Sequence, residues 1–289
     1  MIDVTHFSDP GCPWAYSASP ALATLRWRYG DQLNWTLVMI GLAEDSELYA
    51  ERDYTPLRSA IGYTTFRRYG MPFRVTPKTS LSATSPACRA IVATQLMAPD
   101  LEYAAFRALQ FAQFTTTEPF EDPDTLRTAL RGIHGLDADA VVAAIEDPAM
   151  REAYEADRAR ARTAVGSPTE FQGRAFDSDG AVRYTAPSLI FETDDGRRLE
   201  AGGFQPLEAY DVLVANLDTT LTRRPPAEDP VEVLGAFGYP LATAEIAAIM
   251  APHLTAPDRL KTEHLLITAT AEGRAAHQPV GDGALWSLA

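Results

Sequence analysis

Phe7-Ser8-Asp9-Pro10-Gly11-Cys12-Pro13-Trp14-Ala15-Tyr16 is the stretch on which the fold of this chain turns. Just before it, residues 2–7 alternate apolar and polar side chains with β-branched residues, which predicts a short strand. Pro10-Gly11 is a turn signal. Pro13 suits the first position of a helix, where a missing N–H costs nothing. Ala15, Ala18, Leu22 and Leu25 follow at helical spacing. Cys12 is therefore expected where a strand ends and a helix begins. Backbone N–H groups and the helix dipole at such a place favour thiolate over thiol. The spacing nearly spells Cys-x-x-Cys, but the fourth position is Ala15. The chain keeps an attacking sulfur and lacks its usual resolving partner.

Outward from that stretch, residues 35–42 read as a second strand, so the first forty residues make a β-α-β unit. Ligand sites of open α/β sheets lie at the carboxyl ends of such strands. Residues 45–165 are rich in helix formers and punctuated by prolines. Helix starts are expected at Ser85-Pro86, Asp122-Pro123 and Asp147-Pro148, and this region reads as an all-helical insertion. Residues 166–184 are loop-like, with a hairpin expected at Asp179-Gly180. Residues 187–192 and 198–201 read as strands joined by the Asp194-Asp195-Gly196 turn. A helix is expected over 207–221. Residues 223–230, polar and Pro-rich, read as a linker. Residues 231–289 read as a small separate module of three helices and a hairpin turning at Gly281-Asp282-Gly283. The expected architecture is α/β: a thioredoxin-like domain from 1–44 and 166–222, a helical insertion at 45–165, and a C-terminal module at 231–289.

With these residues in place, the chain resembles the DsbA-like thioredoxin family in its cytoplasmic FrnE-like branch. That superfamily also holds the 2-hydroxychromene-2-carboxylate isomerases and the kappa-class glutathione transferases. The resemblance rests on Phe7-Ser8-Asp9, on Cys12-Pro13-Trp14, on Thr185-Ala186-Pro187-Ser188 and on Gly202-Gly203-Phe204-Gln205-Pro206. It implies that Pro187 is cis and faces Cys12, where the strand-edge backbone can pair with an extended thiol ligand. It implies Cys12 as the catalytic residue, with Pro13, Trp14, Tyr16, Ala186 and Pro187 forming the substrate groove. It implies no bound cofactor; the co-substrate is a low-molecular-weight thiol of glutathione or mycothiol type. The expected activity is that of a thiol–disulfide oxidoreductase or thiol transferase with one nucleophilic cysteine. The alternatives are a non-catalytic binding protein on the same fold and a thiol-dependent isomerase or S-transferase. Oxidoreductase members carry a cysteine where Ala15 stands, and its absence removes fast intramolecular release of a mixed disulfide. Glutathione-binding members place a Ser-Asp or Asp-Arg pair near the start of the last helix, and Gly202-Gly203-Phe204-Gln205 has none.

The second cysteine, Cys88, lies early in an apolar helix. Core packing is its plain reading; the sharper one makes it a resolving thiol for Cys12, which requires Cα atoms within about 7 Å. Asp9 is placed to orient the turn and, as a carboxylate near the sulfur, to oppose its ionisation. Tyr16 is read as core or as a proton donor, and His6 as a satisfied structural histidine. With only two cysteines, a disulfide-stapled scaffold is excluded. The histidines form no metal-ligand motif. The N-terminus lacks the pattern of a signal peptide, and the chain is read as cytoplasmic, with no membrane partner. A net charge of -14 argues against nucleic acid or acidic membranes as partners. Leu241-Ala242-Thr243-Ala244-Glu245-Ile246-Ala247 and Pro279-Val280-Gly281-Asp282-Gly283-Ala284-Leu285-Trp286 resemble parts of a winged helix-turn-helix. The would-be recognition helix offers only Arg259 and Lys261 beside Asp258 and Glu263, so packing or homodimerisation is the expected role. The expected partners are a small thiol or a protein disulfide.

Overall fold

A computed structural model describes the whole chain apart from residues 52 and 179, and apart from the side chains of 50 and 51. The thioredoxin-like part begins with β1 (Ile2–Ser8), α1 (Pro13–Ser17), α2 (Ser19–Tyr29) and β2 (Leu33–Met39). The helical insertion follows as α3 (Glu47–Glu51), α4 (Pro56–Phe66), α5 (Ser85–Met97), α6 (Glu102–Thr115), α7 (Pro123–Leu130), α8 (Ala138–Ala144) and α9 (Pro148–Ala161). The chain returns through α10 (Pro168–Phe171) and the hairpin β3 (Ala175–Ser178) and β4 (Ala181–Tyr184) to β5 (Ser188–Thr193), β6 (Arg198–Ala201) and α11 (Leu207–Leu217). The C-terminal segment holds α12 (Pro230–Ala236), β7 (Leu241–Ala242), α13 (Thr243–Met250), α14 (Arg259–Ala271), β8 (Ala275–Val280) and β9 (Gly283–Leu288). The expected hairpin turn at Asp179-Gly180 falls partly outside the described residues, since Asp179 is one of the two left out.

The main sheet runs β2-β1-β5-β6. β1 pairs parallel with β2 and antiparallel with β5, placing Phe7 opposite both Val38 and Ser188. One face carries Ile2, Val4, Leu33, Leu189 and Phe191, packed on Leu22, Leu25 and Tyr29 of α2 and on Tyr210 and Val214 of α11. The opposite face carries Phe7, Val38 and Ile190 against Ala161 and Ala164 at the end of α9 and Tyr184 of the hairpin. Edge strand β2 is closed by α9, whose Asp157 carboxylate accepts from the Met39 N–H at 2.8 Å. Strand β2 thus starts two residues earlier and ends three earlier than its apolar run implied. Capping explains why the insertion stays helical despite its prolines. Thr55, Asp122 and Asp137 each accept a backbone N–H of the first turn, and Pro56 and Pro123 follow two of these caps.

The C-terminal segment is not separate from the rest. Ala23 and Trp27, on the side of α2 away from the sheet, share a core with Val233, Leu234, Ile246, Leu266 and Trp286. Helix α2 is therefore buried on two sides, and each buried Ile, Leu or Val in such a joint is worth about 1.5–3 kcal/mol. The Pro-rich stretch leading into it is also held in place. Trp27 Nε1 donates to the Pro225 carbonyl at 2.8 Å, the Arg224 guanidinium stacks 3.4 Å over the Trp27 ring, and Arg223 reaches Asp211 at 3.1 Å. The segment also meets the insertion. Arg107 of α6 forms a bidentate pair with Glu245 of α13 at 2.5 and 2.7 Å, both side chains being almost wholly buried. The Asp282 carboxylate in the β8–β9 turn accepts from the Phe73 N–H at 2.7 Å.

Candidate functional site

Cys12 caps α1 with extended backbone (φ −87°, ψ 114°), and Pro13 occupies the first helical turn. The helix is short, breaking at Ala18 before α2 begins. The turn that presents the cysteine is built on Asp9. One carboxylate oxygen of Asp9 accepts from the Gly11 N–H at 2.8 Å; the other accepts from the Leu42 N–H at 2.8 Å and the Thr84 hydroxyl at 3.0 Å. The Cys12 N–H donates to the Asp9 carbonyl at 3.2 Å. Gly11 is required by close approach: a Cβ there would meet the Thr84 methyl at 2.4 Å. Asp9 therefore ties the ends of β1 and β2 to the start of α5. Thr84 and Leu42 could not be linked to it from the sequence, because nothing in their spacing marks them as partners.

Across the site, the Ala186–Pro187 peptide is cis, as the resemblance implies. The Cys12 thiol donates to the Ala186 carbonyl at 3.1 Å. The two residues are 174 positions apart and are joined by the pairing of β1 with β5. Cys12 is 6% exposed. Trp14, by contrast, is 41% exposed, and it heads an aromatic cluster. Its ring lies 4.8 Å from Phe66, 6.1 Å from Tyr69 and 5.5 Å from Phe204. Phe204 follows Gly202-Gly203, a pair the family pattern already tied to the site. Phe66 and Tyr69 come from the insertion and left no signal in the sequence.

The expectation of a thiolate is corrected. Burial pushes the Cys12 thiol up to about 12. The Ala15 and Trp14 N–H groups pull it down, Asp9 opposes ionisation as expected, and Arg183 assists it. Burial wins because a short helix start offers only these two N–H groups against the loss of solvent. Asp9 itself is pushed up by burial, despite its hydrogen bonds from Leu42, Gly11, Thr84 and Cys88.

Tyr16 is not a groove residue. It is fully buried, donates to the Pro72 carbonyl at 2.8 Å, and packs against Phe73, Phe111 and Phe114. Its place one turn after Cys12 points it into the joint with the insertion instead of toward the sulfur. Cys88 is fully buried beside Ile91 and Phe106. Its thiol faces the Asp9 carboxylate at 3.5 Å, and both cysteines are free thiols. His6 is structural, but not satisfied. Neither ring nitrogen has a partner among the described residues, and the ring stands edge-on to Trp35 and Phe106. Burial, then Arg26, lowers its pKa to about 3. Among the described residues no cluster of His, Cys, Asp or Glu could hold a metal ion, and no helix is long and apolar enough to cross a membrane.

A cysteine at a strand-to-helix turn, facing a cis-proline loop under an inserted helical layer, defines a thioredoxin-type thiol site. The chain belongs to the family of the DSBA-like thioredoxin domain, whose model matches residues 3–186. A probable DsbA oxidoreductase from Streptomyces coelicolor superposes with a TM-score of 0.56 at 19% identity, covering 77% of this chain and 92% of that one. The cytosolic disulfide reductase DsbM from Pseudomonas aeruginosa gives 0.52 at 20% identity, covering 75% and 100%. The structure of DsbM with GSH gives 0.51 at 19% identity, covering 74% and 98%. At these identities the likeness is one of fold. No curated protein matches the chain.

Proposed function

We propose that this protein is a cytoplasmic thiol–disulfide oxidoreductase or thiol transferase that works through Cys12 alone. The observation that carries the reading is the 3.1 Å contact between the Cys12 sulfur and the Ala186 carbonyl beside cis-Pro187. That carbonyl is an acceptor a bound substrate can claim. When a substrate N–H takes up the Ala186 carbonyl, the thiol is freed of that hydrogen bond and can turn to the substrate sulfur, giving up its proton as it attacks. Cys12 sulfur then bonds to one sulfur of a disulfide R–S–S–R′, the S–S bond breaks, and R′S⁻ leaves and takes the proton Cys12 gave up. Ala15 cannot release the adduct. A second thiol must attack Cys12–S–S–R, producing a new disulfide with R and returning Cys12. DsbM, a cytosolic disulfide reductase solved with GSH, supports a glutathione- or mycothiol-like co-substrate and the cytoplasmic setting. The exposed Trp14, with Phe66, Tyr69 and Phe204, suits an apolar wall for that substrate, and Pro13 and Pro187 its two ends. Residues 1–44 and 166–222 carry the thiol, and 45–165 cover it. Residues 231–289, winged-helix-like in their order of helices and hairpin, act as a packing module; the core around Trp27 and Trp286 supports that role over nucleic acid binding.

The raised thiol pKa favours a second reading, a non-catalytic binding protein on the same fold. The two are separated by incubating the protein with glutathione disulfide, trapping the adduct for mass spectrometry, and assaying reduction of a small disulfide with glutathione and then with mycothiol. Catalysis predicts one adduct, on Cys12, and turnover that Cys12→Ser abolishes while Cys88→Ala keeps it. No adduct and no turnover with either thiol would leave the binding reading standing.

A further inference from the structure

A concave site that does not include Cys12 lies at the joint of the insertion and the C-terminal segment. A cavity of about 410 Å³ is lined by Arg67, Arg68, Gly70, Arg259 and Asp282, with Pro72 as part of its wall. Three arginines and one carboxylate thus line one cavity, in a chain whose net charge is -14. Arg67 is paired with Asp282, which also accepts from the Phe73 N–H. Arg68 stacks 4.8 Å over the Tyr69 ring and donates to its hydroxyl at 2.8 Å. Arg259 pairs with no carboxylate among the described residues. It lies over Gly70, whose φ of +91° suits glycine and whose missing Cβ leaves room; a Cβ there would stand 2.5 Å from the Arg259 guanidinium. A neighbouring cleft of about 640 Å³ shares Gly70, Pro72, Arg259 and Asp282 with it and is also lined by Ala256, Leu260, Asp258 and Glu263. Asp258 is engaged in capping the Lys261 N–H.

We propose that the smaller, arginine-lined cavity binds a small phosphate dianion, with Arg68 and Arg259 as its ligands and Arg67 held ready by Asp282. Guanidinium groups present paired N–H donors that match phosphate oxygens, and the surplus of two positive charges in the smaller cavity suits a dianion. The volume is that of a small-molecule site, about 300–1,000 Å³. The C-terminal segment is then part of the site, since it supplies Arg259. The reaction at Cys12 is not needed for this binding, although Arg68 rests on Tyr69, whose ring also neighbours Trp14.

Isothermal titration of the full chain at low salt tests it, with inorganic phosphate and phenyl phosphate as the two probes. The expected result is saturable one-to-one binding of at least one probe, weakened at least about tenfold in both Arg259→Gln and Arg68→Gln, each of which loses one charge-assisted contact. Equal affinity for the probes identifies free phosphate as the ligand. Tighter phenyl phosphate identifies a phosphate ester whose organic part lies on Pro72 and Leu260. Cys12→Ser is expected to bind like the parent, so a failure of the proposed catalysis leaves this result untouched. No saturable binding of either probe, or binding unchanged by both arginine substitutions, overturns the proposal. Both arginines are exposed, and far-UV circular dichroism of the variants confirms that lost binding is not lost fold.

Discussion

At the Cys12 site a buried thiol faces a neutral carbonyl, whereas at the joint of α6 and α13 a buried guanidinium faces a carboxylate. Both places exclude water. The Cys12 sulfur meets Ala186 at 3.1 Å, and burial raises its pKa to about 12. Burial also works against Arg107, but Glu245 reverses it and the arginine is held above its ordinary value. The difference is the counter-charge. A buried group keeps its charge where an opposite charge and good hydrogen bonds replace the water; where only a dipole is offered, it stays neutral. Burial also shifts Asp9 and His6 in the direction of their neutral forms. The ion pair links the C-terminal segment to the insertion through two charged side chains that are almost wholly buried.

The largest effect is expected from Ala15→Cys. It supplies a second thiol one helical turn from Cys12, so that release of a mixed disulfide becomes intramolecular. Release is expected to accelerate at least roughly a hundredfold, a modest share of the advantage of a well-placed internal group. Stopped-flow measurement of leaving-thiol release checks it, and an unchanged rate would mean that the Cys12 geometry does not allow the exchange.

Next in size is Arg107→Met, which strands Glu245 without a counter-charge. The expected cost is about 3–5 kcal/mol, whereas Arg107→Met with Glu245→Leu should cost much less. Urea midpoints of the two variants decide, and equal losses would show that packing rather than charge holds the joint.

His6 gives the comparison a pH axis. Its pKa is 6.5 when unfolded and about 3 when folded, so the unfolded chain binds the extra proton between those values. Stability from His6 is therefore complete above 6.5 and is lost as pH falls toward 3, by up to about 1.4 kcal/mol per pH unit. Glu102 and Asp157, raised by burial to about 7 and about 6, act in the opposite sense over an overlapping window. Subtracting the stability profile of His6→Phe from that of the parent isolates the histidine. A flat difference between pH 7 and pH 4 would mean that His6 gains a proton acceptor inside the fold.

The smallest effect is expected from Tyr16→Phe. It removes one donor to the Pro72 carbonyl and should cost about 1 kcal/mol, with no change in the rate at which Cys12 is alkylated. A slowed alkylation would return Tyr16 to the site.

Much of this molecule is legible in its residues because the signals are local. Pro13 after Cys12, the Pro-marked starts of α5, α7 and α9, and the alternation in β1 each depend on a few neighbouring positions. The hairpin around Gly281 is of the same kind, and its positive φ of 54° explains the glycine. The burial of α2 on two sides is not local: Leu22 and Leu25 advertise the sheet, but nothing near Trp27 announces Trp286. The aromatic cluster around Trp14 likewise needs Phe66 and Tyr69, which arrive from another part of the chain.

The residues alone placed the sulfur at the end of β1 and the start of α1, with Ala15 where a second thiol would stand. Those are matters of chain order and backbone preference, which each short segment carries within itself. The sulfur's place beside cis-Pro187 came only from the family resemblance and the pairing of β1 with β5. Packing of distant elements set the burial that raises the Cys12 thiol, the retreat of Tyr16 into the core, the solvent-free ring of His6 and the shared cavity of Arg67, Arg68 and Arg259. Solvent exclusion and charge pairing depend on residues distant in the chain, and they come together only when the layers close.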